Sequence, residues 1–561
     1  MSGTVGLALA GLVLGALALG ADGMAVARWL DPPAVDRHAQ VAQGVTVLRV
    51  LLGLDALLLL GLAAWRARGG AAAASERAAL WQPPLQTAPD RRLHLALALA
   101  LGLGALLLRA VGLDTDLWLD EVGTLVLFAR VPLGELLTWF PNDNHHMAYS
   151  VLARLCVVAF GESEAAVRLP AVLFGLGSLA VLVRLGGLAL SWRDGWFAAA
   201  LLAFSYHHVW FSQNARAYTL LLFGTLLATD LFLRGLARPR APVWIGYAAT
   251  MALSAWGHMT MAFVGVAHGL LALWILVRER SAAGGRAWPL GGVLLSGWLT
   301  LHAYALVLPQ ILAFFSLPAA GSTAEPTEWT NPLWLVMETL RHLGVGVALG
   351  VVGALAVAAV GGLGLLRSVR RDPLFVVLML LPAVVEGIVL VALGRSLWPR
   401  FFFHLLGFAA LVAVSGALAV GDLAGAAAAR FAPRARAAVA MLPAVFLVAV
   451  SAASLPRNYH LPKQDYTGAR DWVKARLAPG DRVMGLHMAG WVYNWYYAPE
   501  WPWVESAEDF DANRATDGRT WVLYTLPGYF EGAYPELMQR IERDFEPAET
   551  FWGTLRDGQI V

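Results

Sequence analysis

Residues 111–170 read VGLDTDLWLDEVGTLVLFARVPLGELLTWFPNDNHHMAYSVLARLCVVAFGESEAAVRLP, and they form the longest polar interruption among the hydrophobic segments of the chain. The stretch follows an apolar segment directly, with Asp120 and Glu121 near one end and His145 and His146 towards the other. Acidic and histidine side chains rarely gather beside a bilayer unless they have a function. We therefore expect the chemistry of the protein here, with the rest of the chain acting as a membrane scaffold.

The composition is that of a polytopic membrane protein. Of 561 residues, 58% are hydrophobic and 14% are charged, whereas soluble domains carry roughly 25% charged residues. The formal net charge of +2 indicates no particular partner, because the placement of charges matters more than their sum in a membrane protein. The single cysteine, Cys156, excludes an intramolecular disulfide and lies in an apolar run, which favours a buried hydrophobic role.

Apolar windows of about 17 to 25 residues are typical of membrane-spanning helices. The first window lacks a basic region before it, so we expect it to remain as a helix rather than to be cleaved as a signal peptide. About thirteen spans are predicted, near residues 5–23, 45–64, 93–111, 166–190, 195–212, 217–235, 242–257, 259–277, 288–312, 344–366, 374–394, 401–420 and 437–454.

Arginine clusters between these windows predict the topology, because arginine-rich loops stay in the cytoplasm. They all fall on one side only if residues 147–160 do not cross the membrane. That run is short and contains Arg154, so we expect an interfacial or re-entrant helix in the first large outer loop. The alternative, a spanning helix, would put Arg193 outside and reverse every later cluster. The clusters are Arg66, Arg68, Arg77, Arg91 and Arg92; Arg234, Arg238 and Arg240; Arg278, Arg280 and Arg286; Arg367, Arg370 and Arg371; and Arg430, Arg434 and Arg436.

With this topology, polar segments collect on the opposite, outer face. They are residues 112–165, the turn at 212–219, the turn at His258, residues 316–334 and the turn at 394–402.

The composition changes from about residue 456, where apolar runs shorten and acidic residues return. Residues 482–487 and 520–526 have the apolar and β-branched content of strands, and 466–477 and 534–545 have the spacing of amphipathic helices. We therefore predict one small α/β domain on the outer face, and no glycine loop for a nucleotide is present in its sequence.

The pair Asp120 and Glu121 lies just beyond the end of an apolar window, at the depth of lipid headgroups. An acid there could act as general base on a hydroxyl, while its neighbour binds a cation or orients the base. The alternative is a solvated interfacial pair that caps the helix beginning near Val122. Spacing alone does not decide between them.

His145 and His146 could bind a sugar or a phosphate, or ligate a metal together with an aspartate. Adjacent histidines usually point to different faces of a helix or strand, so a metal held by both is disfavoured. We expect one of them to reach the site. Simple packing at the membrane interface is the alternative.

Two outer turns supply further polar side chains. The turn SQNARAY carries Gln213, Arg216 and Tyr218, which could together bind the phosphate of a lipid-linked substrate. The alternative for Arg216 is snorkelling to lipid phosphate. Arg395 and Arg400 flank SLWP in the second turn, and either could neutralise a leaving phosphate.

Five motifs in order resemble those of the C-type glycosyltransferases, in particular the bacterial branch related to protein O-mannosyltransferases and to the aminoarabinose transferase of lipid A. The resemblance covers roughly residues 93–420, and residues 462–483 are similar to the start of the outer domain in many such proteins. The motifs are WLDE at 118–121, NDNHH at 142–146, FGESEAAVRLP at 160–170, SQNARAYTL at 212–220 and RSLWPRFF at 395–402.

The resemblance implies a transferase that moves a sugar from a polyprenyl-phosphate carrier to an acceptor on the outer face, with inversion at the anomeric carbon. By this analogy Asp120 is the general base and Glu121 its supporting acid. His146 belongs to the loop near the carrier, and the phosphate or sugar pocket is lined by Arg216, Tyr218 and Arg400.

Three departures from the family pattern stand out. Residues 146–149 read His-Met-Ala-Tyr where the family often has His-Pro-Leu-Tyr, and the loop lacks the lysine of the aminoarabinose transferases. Two helices also precede residue 93, where the family module usually starts.

The expected protein is thus a polytopic α-helical membrane protein with about thirteen transmembrane helices, a juxtamembrane or re-entrant helix, and a small C-terminal α/β domain. Its expected parts are an N-terminal two-helix extension (1–92), the glycosyltransferase membrane module (93–455) and the outer domain (456–561). We expect a bacterial cytoplasmic membrane, no nucleic-acid partner and no cofactor, with a divalent cation as the alternative.

A non-catalytic lipid or solute transporter is the second hypothesis, since the same charges could line a path. Transporters commonly show internal repeats and interrupted helices at the membrane midplane. The two halves of this sequence show no convincing repeat, and its acids gather at one face. These features favour the enzyme.

Overall fold

The computed structural model describes residues 2–33, 35–68, 79–84, 90–278, 285–316, 347–395, 397–555 and 557–561. The expected outer loop at 316–334 lies almost wholly outside these residues. The membrane part consists of helices α1 (Ser2–Gly20), α2 (Gly23–Leu30), α3 (His38–Ala67), α4 (Arg91–Ala110), α5 (Leu119–Gly123), α6 (Leu133–Thr138), α7 (Met147–Phe160), α8 (Glu164–Ala189), α9 (Trp192–Ala203), α10 (Tyr206–Ser212), α11 (Tyr218–Ala237), α12 (Ala241–Gly257), α13 (Met261–Arg278), α14 (Ala287–Tyr304), α15 (Leu308–Ser316), α16 (Val347–Arg371), α17 (Pro373–Ala392), α18 (Leu406–Ala428) and α19 (Arg436–Ala453).

Within the described ranges, nine helices are long and apolar enough to cross a membrane, and the pair α14 and α15, bent by 92°, would make a tenth. The other three expected spans differ in detail. The span at 195–212 is broken into α9 and α10, α12 has only 17 residues, and the segment expected at 344–366 is α16, which follows residues that are not described. The polytopic helical class predicted from the sequence is confirmed.

Ion pairs bring the turn between α8 and α9 to the side of the bundle that carries the arginine clusters. Arg193, in the first turn of α9, and Arg367, near the end of α16, both pair with Asp422 of α18, at 2.8 and 3.2 Å. Helix α7, which has 14 residues, is too short to span and packs against α8 and α12. The topology with a non-spanning α7 therefore agrees with the structure.

The C-terminal part is a small α/β domain whose strands and helices agree with those expected. A parallel three-stranded sheet has the order β2-β1-β3, with a core that includes Met484, Phe510 and Leu537. The elements are α20 (Arg457–His460), α21 (Tyr466–Lys474), β1 (Arg482–Leu486), α22 (His487–Val492), β2 (Trp503–Val504), α23 (Ala507–Ala512), β3 (Thr520–Leu523), α24 (Pro527–Ala533) and α25 (Pro535–Asp544).

This domain docks on the first polar loop through hydrogen bonds to residues before and at the start of α5. The Leu117 N–H donates to the Tyr497 hydroxyl at 2.7 Å, and the Leu119 N–H donates to Gln464 Oε1 at 2.9 Å. Asp116 accepts from the backbone and side chain of Thr467, at 2.7 and 3.0 Å. The domain therefore fixes the loop that carries Asp120 and Glu121.

The N-terminal helices also contact the membrane module. On α3, Asp55 accepts from Trp298 Nε1 at 2.8 Å and lies 2.9 Å from His302 Nε2, both on α14. Arg37 reaches the first polar loop, where it pairs with Glu135 at 3.1 Å. The N-terminal extension thus contacts both α14 and the first polar loop.

Candidate active site

Helix α5 begins with a one-sided cap, made by Glu121, and its two acids point in different directions. Glu121 is the third residue of the helix, and its Oε2 accepts the N–H of Trp118, the residue before the helix, at 3.3 Å. A glutamate at this position commonly turns back to the helix start. Glu121 is therefore buried under the loop, while Asp120, one residue earlier, lines an open cavity. The chain continues in π-helical form at Thr124–Ala129, a distortion frequent at functional sites.

Glu121 has no side-chain exposure and is surrounded by donors from three distant segments. Arg168, from the first turns of α8, donates to both carboxylate oxygens, at 2.8 and 2.6 Å. The Ala215 N–H donates to Oε1 at 2.6 Å, and Lys463 Nζ lies 3.3 Å from Oε2. Glu121 therefore links the loop, α8, the α10–α11 turn and the C-terminal domain.

The charges around Glu121 fix its protonation state. Burial alone would raise the pKa of Glu121, but Arg168 and Lys463 lower it to about 2. Burial and the neighbouring Arg168 lower the pKa of Lys463 to about 7, although Glu121 opposes this change. The carboxylate is therefore ionised, and its lone pairs are already engaged, so it has little capacity to accept a proton from a substrate.

Asp120 is the acid that remains accessible. Its side chain is 13% exposed and lies 3.8 Å from Nη2 of Arg216. Both residues line a cavity of about 420 Å³, together with Asn142 and Asn144 of the histidine motif. Small-molecule sites typically enclose roughly 300–1,000 Å³, so this cavity has room for a sugar.

Arg216 is held in place by the loop that carries the histidines. Its Nη1 and Nη2 donate to the backbone and side-chain oxygens of Asn144, at 3.1 and 2.6 Å. The side chain is 4% exposed, which is incompatible with a residue that extends to lipid headgroups. The Nε atom makes no hydrogen bond within the described residues, so the guanidinium keeps a donor for an anion.

The two adjacent histidines have different surroundings. His146 stacks on His258 with ring centroids 4.6 Å apart, and the Nε2 atoms of both rings have no partner among the described residues. Burial, with Arg216 and Arg400 nearby, lowers the pKa of His258 to about 3. His145 instead stacks on Phe128 at 3.9 Å and bonds the Trp139 carbonyl at 3.0 Å. Only His146 therefore joins the polar cluster of Arg216.

Some of the remaining candidate residues lie in the polar cluster of Arg216 and others lie outside it. Tyr218 is 3% exposed and packs against the His146 and His258 rings, inside the cluster. The Gln213 amide nitrogen donates to the Arg109 and Val111 carbonyls, and its oxygen accepts from Asn458 of the C-terminal domain, so the side chain makes a structural contact. Arg395 lies over Phe315 at 5.9 Å, whereas Arg400 lies over Trp398 at 5.1 Å and near His258.

Sequence reasoning missed several residues of this region. Arg168 lies in a quoted motif, and Lys463 is one of only two lysines, yet neither was connected with Glu121. Asn144 belongs to the histidine motif, and its backbone and side chain position Arg216. In the part of the chain that the structure describes, no group of three or more acids, histidines or cysteines is arranged to hold a metal ion.

Comparisons with known proteins agree with this architecture. Residues 144–304 match the family described as dolichyl-phosphate-mannose-protein mannosyltransferase. No curated protein sequence matches the chain. Among solved structures, ArnT from Cupriavidus metallidurans bound to undecaprenyl phosphate is similar at 14% identity, covering 84% of this chain and 98% of that chain, with a TM-score of 0.51.

Two other solved structures are similar. The archaeal oligosaccharyltransferase AglB from Archaeoglobus fulgidus, in complex with an inhibitory peptide and a dolichol-phosphate, has 12% identity over 80% of this chain and 72% of that chain, with a TM-score of 0.46. The arabinosyltransferase EmbB from Mycobacterium smegmatis has 17% identity over 74% of this chain and 46% of that chain, with a TM-score of 0.42.

The transporter alternative finds no support in these comparisons. The fold over most of the chain and the family match at residues 144–304 both agree with the resemblance inferred from the five motifs. The chain is a multi-pass membrane protein that shares the fold of the ArnT structure, and its residues 144–304 match the mannosyltransferase family model.

Proposed function

We propose that this chain is an inverting glycosyltransferase that moves a hexose or pentose from a polyprenyl-phosphate carrier to an acceptor hydroxyl of a lipid, glycan or protein. The observation that carries the proposal is the accessible Asp120 carboxylate beside the Arg216 guanidinium, 3.8 Å away, on one cavity. The similar ArnT structure holds undecaprenyl phosphate, which supports a carrier of this class.

The reaction would take place on the outer face of a bacterial cytoplasmic membrane. The arginine clusters at the ends of α3, α11, α13, α16 and α18 support a cytoplasmic location for that side of the bundle. Asp120 and the C-terminal domain belong to the opposite side. The carrier can then present its sugar to Asp120 while the lipid tail stays in the bilayer.

Asp120 is suited to act as the general base. As the acceptor oxygen forms a bond to the anomeric carbon, its proton passes to the Asp120 carboxylate. The bond between that carbon and the phosphate oxygen breaks on the opposite side, and its electron pair leaves with the polyprenyl phosphate. Attack from the face opposite the leaving group inverts the anomeric configuration.

The leaving phosphate requires positive charge and hydrogen-bond donors in a site that excludes water. Arg216 Nε is buried without a partner among the described residues, and the Nε2 atoms of His146 and His258 are in the same state. Arg400 lies close enough to His258 to influence its pKa. We propose that these side chains, with Tyr218 beside them, bind the phosphate or the sugar.

Glu121 has a different role in this proposal. Because its carboxylate is ionised and engaged by Arg168, Lys463 and the Ala215 N–H, it positions α5 and hence Asp120. It is therefore a positioning residue, and Lys463 and Arg168 support it.

Substitution of Asp120 tests the proposal. The protein in lipid nanodiscs is incubated with a panel of undecaprenyl-phosphate-linked sugars, and release of undecaprenyl phosphate is measured. Asp120→Asn should lower the transfer rate by about 10²–10⁴-fold, the usual contribution of a general base. Asp114→Asn, at an exposed acid of the same loop that does not line the cavity, should leave it unchanged. Wild-type transfer by a folded Asp120→Asn variant would overturn the assignment.

A further inference from the structure

The cavity at Asp120 has a wall that comes from the C-terminal domain. We call it the outer wall. It consists of His487, Met488, Trp491, Trp503, Glu505 and Tyr534. None of these side chains was singled out by the sequence motifs, and the proposed chemistry at Asp120 and Arg216 does not use them.

The outer wall is held close to the reacting region. The indole of Trp491 reaches across to α5, where its Cη2 lies 3.7 Å from the position that a Cβ would have on Gly123. Gly123 follows Asp120 by three residues, so the ring lies beside the proposed base. A Cβ at this position would make an ordinary van der Waals contact with the ring, so the indole packs directly against α5.

Trp503 gives the cavity wall a second tryptophan. It lies on the short strand β2 and keeps 36% of its surface exposed. A Cβ on Gly490 would come within 2.8 Å of Trp503 Cδ1, so the ring packs closely over the backbone of α22. The indole thus packs against α22 while part of the residue remains exposed to the cavity.

His487 adds a strained polar group to this wall. Its φ of 42° lies in the left-handed region, which is uncommon for a residue other than glycine and is often kept at functional sites. Its ring stacks on Tyr534 at 3.4 Å, and Nε2 has no partner among the described residues. Burial lowers the pKa of His487, which favours the neutral imidazole, and either form of the ring can hydrogen-bond a hydroxyl.

We infer that the outer wall binds the acceptor and that the acceptor is a carbohydrate. The electron-rich face of an indole attracts the weakly positive C–H groups of a sugar ring, and Trp491 and Trp503 offer such faces. Glu505 and His487 supply a carboxylate and an imidazole, which can pair with sugar hydroxyl groups. A sugar stacked there would bring one hydroxyl to Asp120. The inference rests on the proposed function, because it names the acceptor class of the same site.

A transfer assay with defined acceptors tests this inference. The full-length protein in nanodiscs receives an undecaprenyl-phosphate-linked sugar together with either methyl hexopyranosides and methyl pentosides or a serine- and threonine-containing peptide. Transfer to a methyl glycoside is expected. Transfer to the peptide alone would overturn the inference while leaving the proposed function intact, whereas failure to release undecaprenyl phosphate from any donor would count against the function itself.

Variants of the wall locate the acceptor site. Trp503→Ala should raise the KM for the glycoside by about 2- to 12-fold, the effect of losing one aromatic stacking contact, with the KM for the donor unchanged. Trp552→Ala is the control, since this tryptophan is 61% exposed and does not line the cavity.

A second pair of variants covers the case in which Trp503→Ala does not fold. Glu505→Gln should raise the same KM, and Glu508→Gln, at an exposed acid of α23 away from the cavity, should not. A wild-type KM for the glycoside in the folded Trp503→Ala and Glu505→Gln variants would overturn the inference.

Discussion

Replacing Glu121 by glutamine should destabilise the protein far more than replacing an exposed glutamate that has an arginine partner. The change preserves shape but removes the negative charge between Arg168 and Lys463, whose side chains are 0% and 6% exposed. Removing one partner of a buried ion pair costs about 3–5 kcal/mol, because the remaining charge is left uncompensated. We expect a loss of this size for Glu121→Gln.

The matched control is Glu162→Gln. Glu162 pairs with Arg130 at 2.7 Å, but the side chains are 39% and 35% exposed. Exposed pairs contribute roughly 0–1 kcal/mol because water and salt screen them. Comparing the two Glu→Gln variants therefore measures how much burial of the ion pair increases the loss of stability.

The assay is equilibrium unfolding of purified protein in mixed micelles by increasing SDS, followed by loss of tertiary signal. Adding Lys463→Met to Glu121→Gln should recover part of the loss, because one of two uncompensated cations is gone, with a coupling of about 0.5–3 kcal/mol. If Glu121→Gln lowers the free energy of unfolding no more than Glu162→Gln does, Glu121 is not a buried charge paired with Arg168 and Lys463. The same conclusion holds if the effects of Glu121→Gln and Lys463→Met are additive.

Two further predictions concern Arg216 and Lys463. Arg216→Lys keeps the charge but loses the planar guanidinium that bonds both Asn144 oxygens. The KM for the lipid-linked donor should therefore rise roughly tenfold or more, while Arg240→Lys, on the other side of the bundle, should leave it unchanged. An unaltered KM in Arg216→Lys would remove Arg216 from the carrier site. The pKa of Lys463 is lowered to about 7 in the folded protein. The folded state therefore binds fewer protons than the unfolded chain between pH 7 and about 10.4. Because of this group, the free energy of unfolding increases as pH rises through that range. Lys463→Met should flatten that rise in the thermal unfolding midpoint, and an unchanged pH profile would contradict the burial of Lys463.

Much of the fold was predictable because the membrane restricts the possible structures. Long apolar windows and arginine placement predicted the helices, and the parity of the clusters predicted that α7 does not span. The contact of Arg193 with Asp422 agrees with that topology. The break between α9 and α10 was not predicted, because residues 195–212 were taken as one span across Ser205, which caps the start of α10.

The sequence motifs predicted which residues lie in the region of the candidate site better than they predicted what each residue does. The motif order brought Asp120, His146 and Arg216 to the same region, but spacing could not show which acid of the adjacent pair turns inward. That choice depends on Arg168 and Lys463, which lie 47 and 342 residues away from Glu121 in sequence. The outer wall depends on the C-terminal domain in the same way, since only the tertiary fold brings Trp491 against Gly123.

The most direct test of the central claim is consumption of the donor by the wild-type protein. Purified protein in nanodiscs is incubated with a panel of undecaprenyl-phosphate-linked hexoses and pentoses, and the released undecaprenyl phosphate and the anomeric configuration of the product are measured. The account predicts that at least one donor is consumed, with inversion of configuration and with loss of the reaction in Asp120→Asn. Release with retained configuration, or equal release by the folded Asp120→Asn variant, would contradict it.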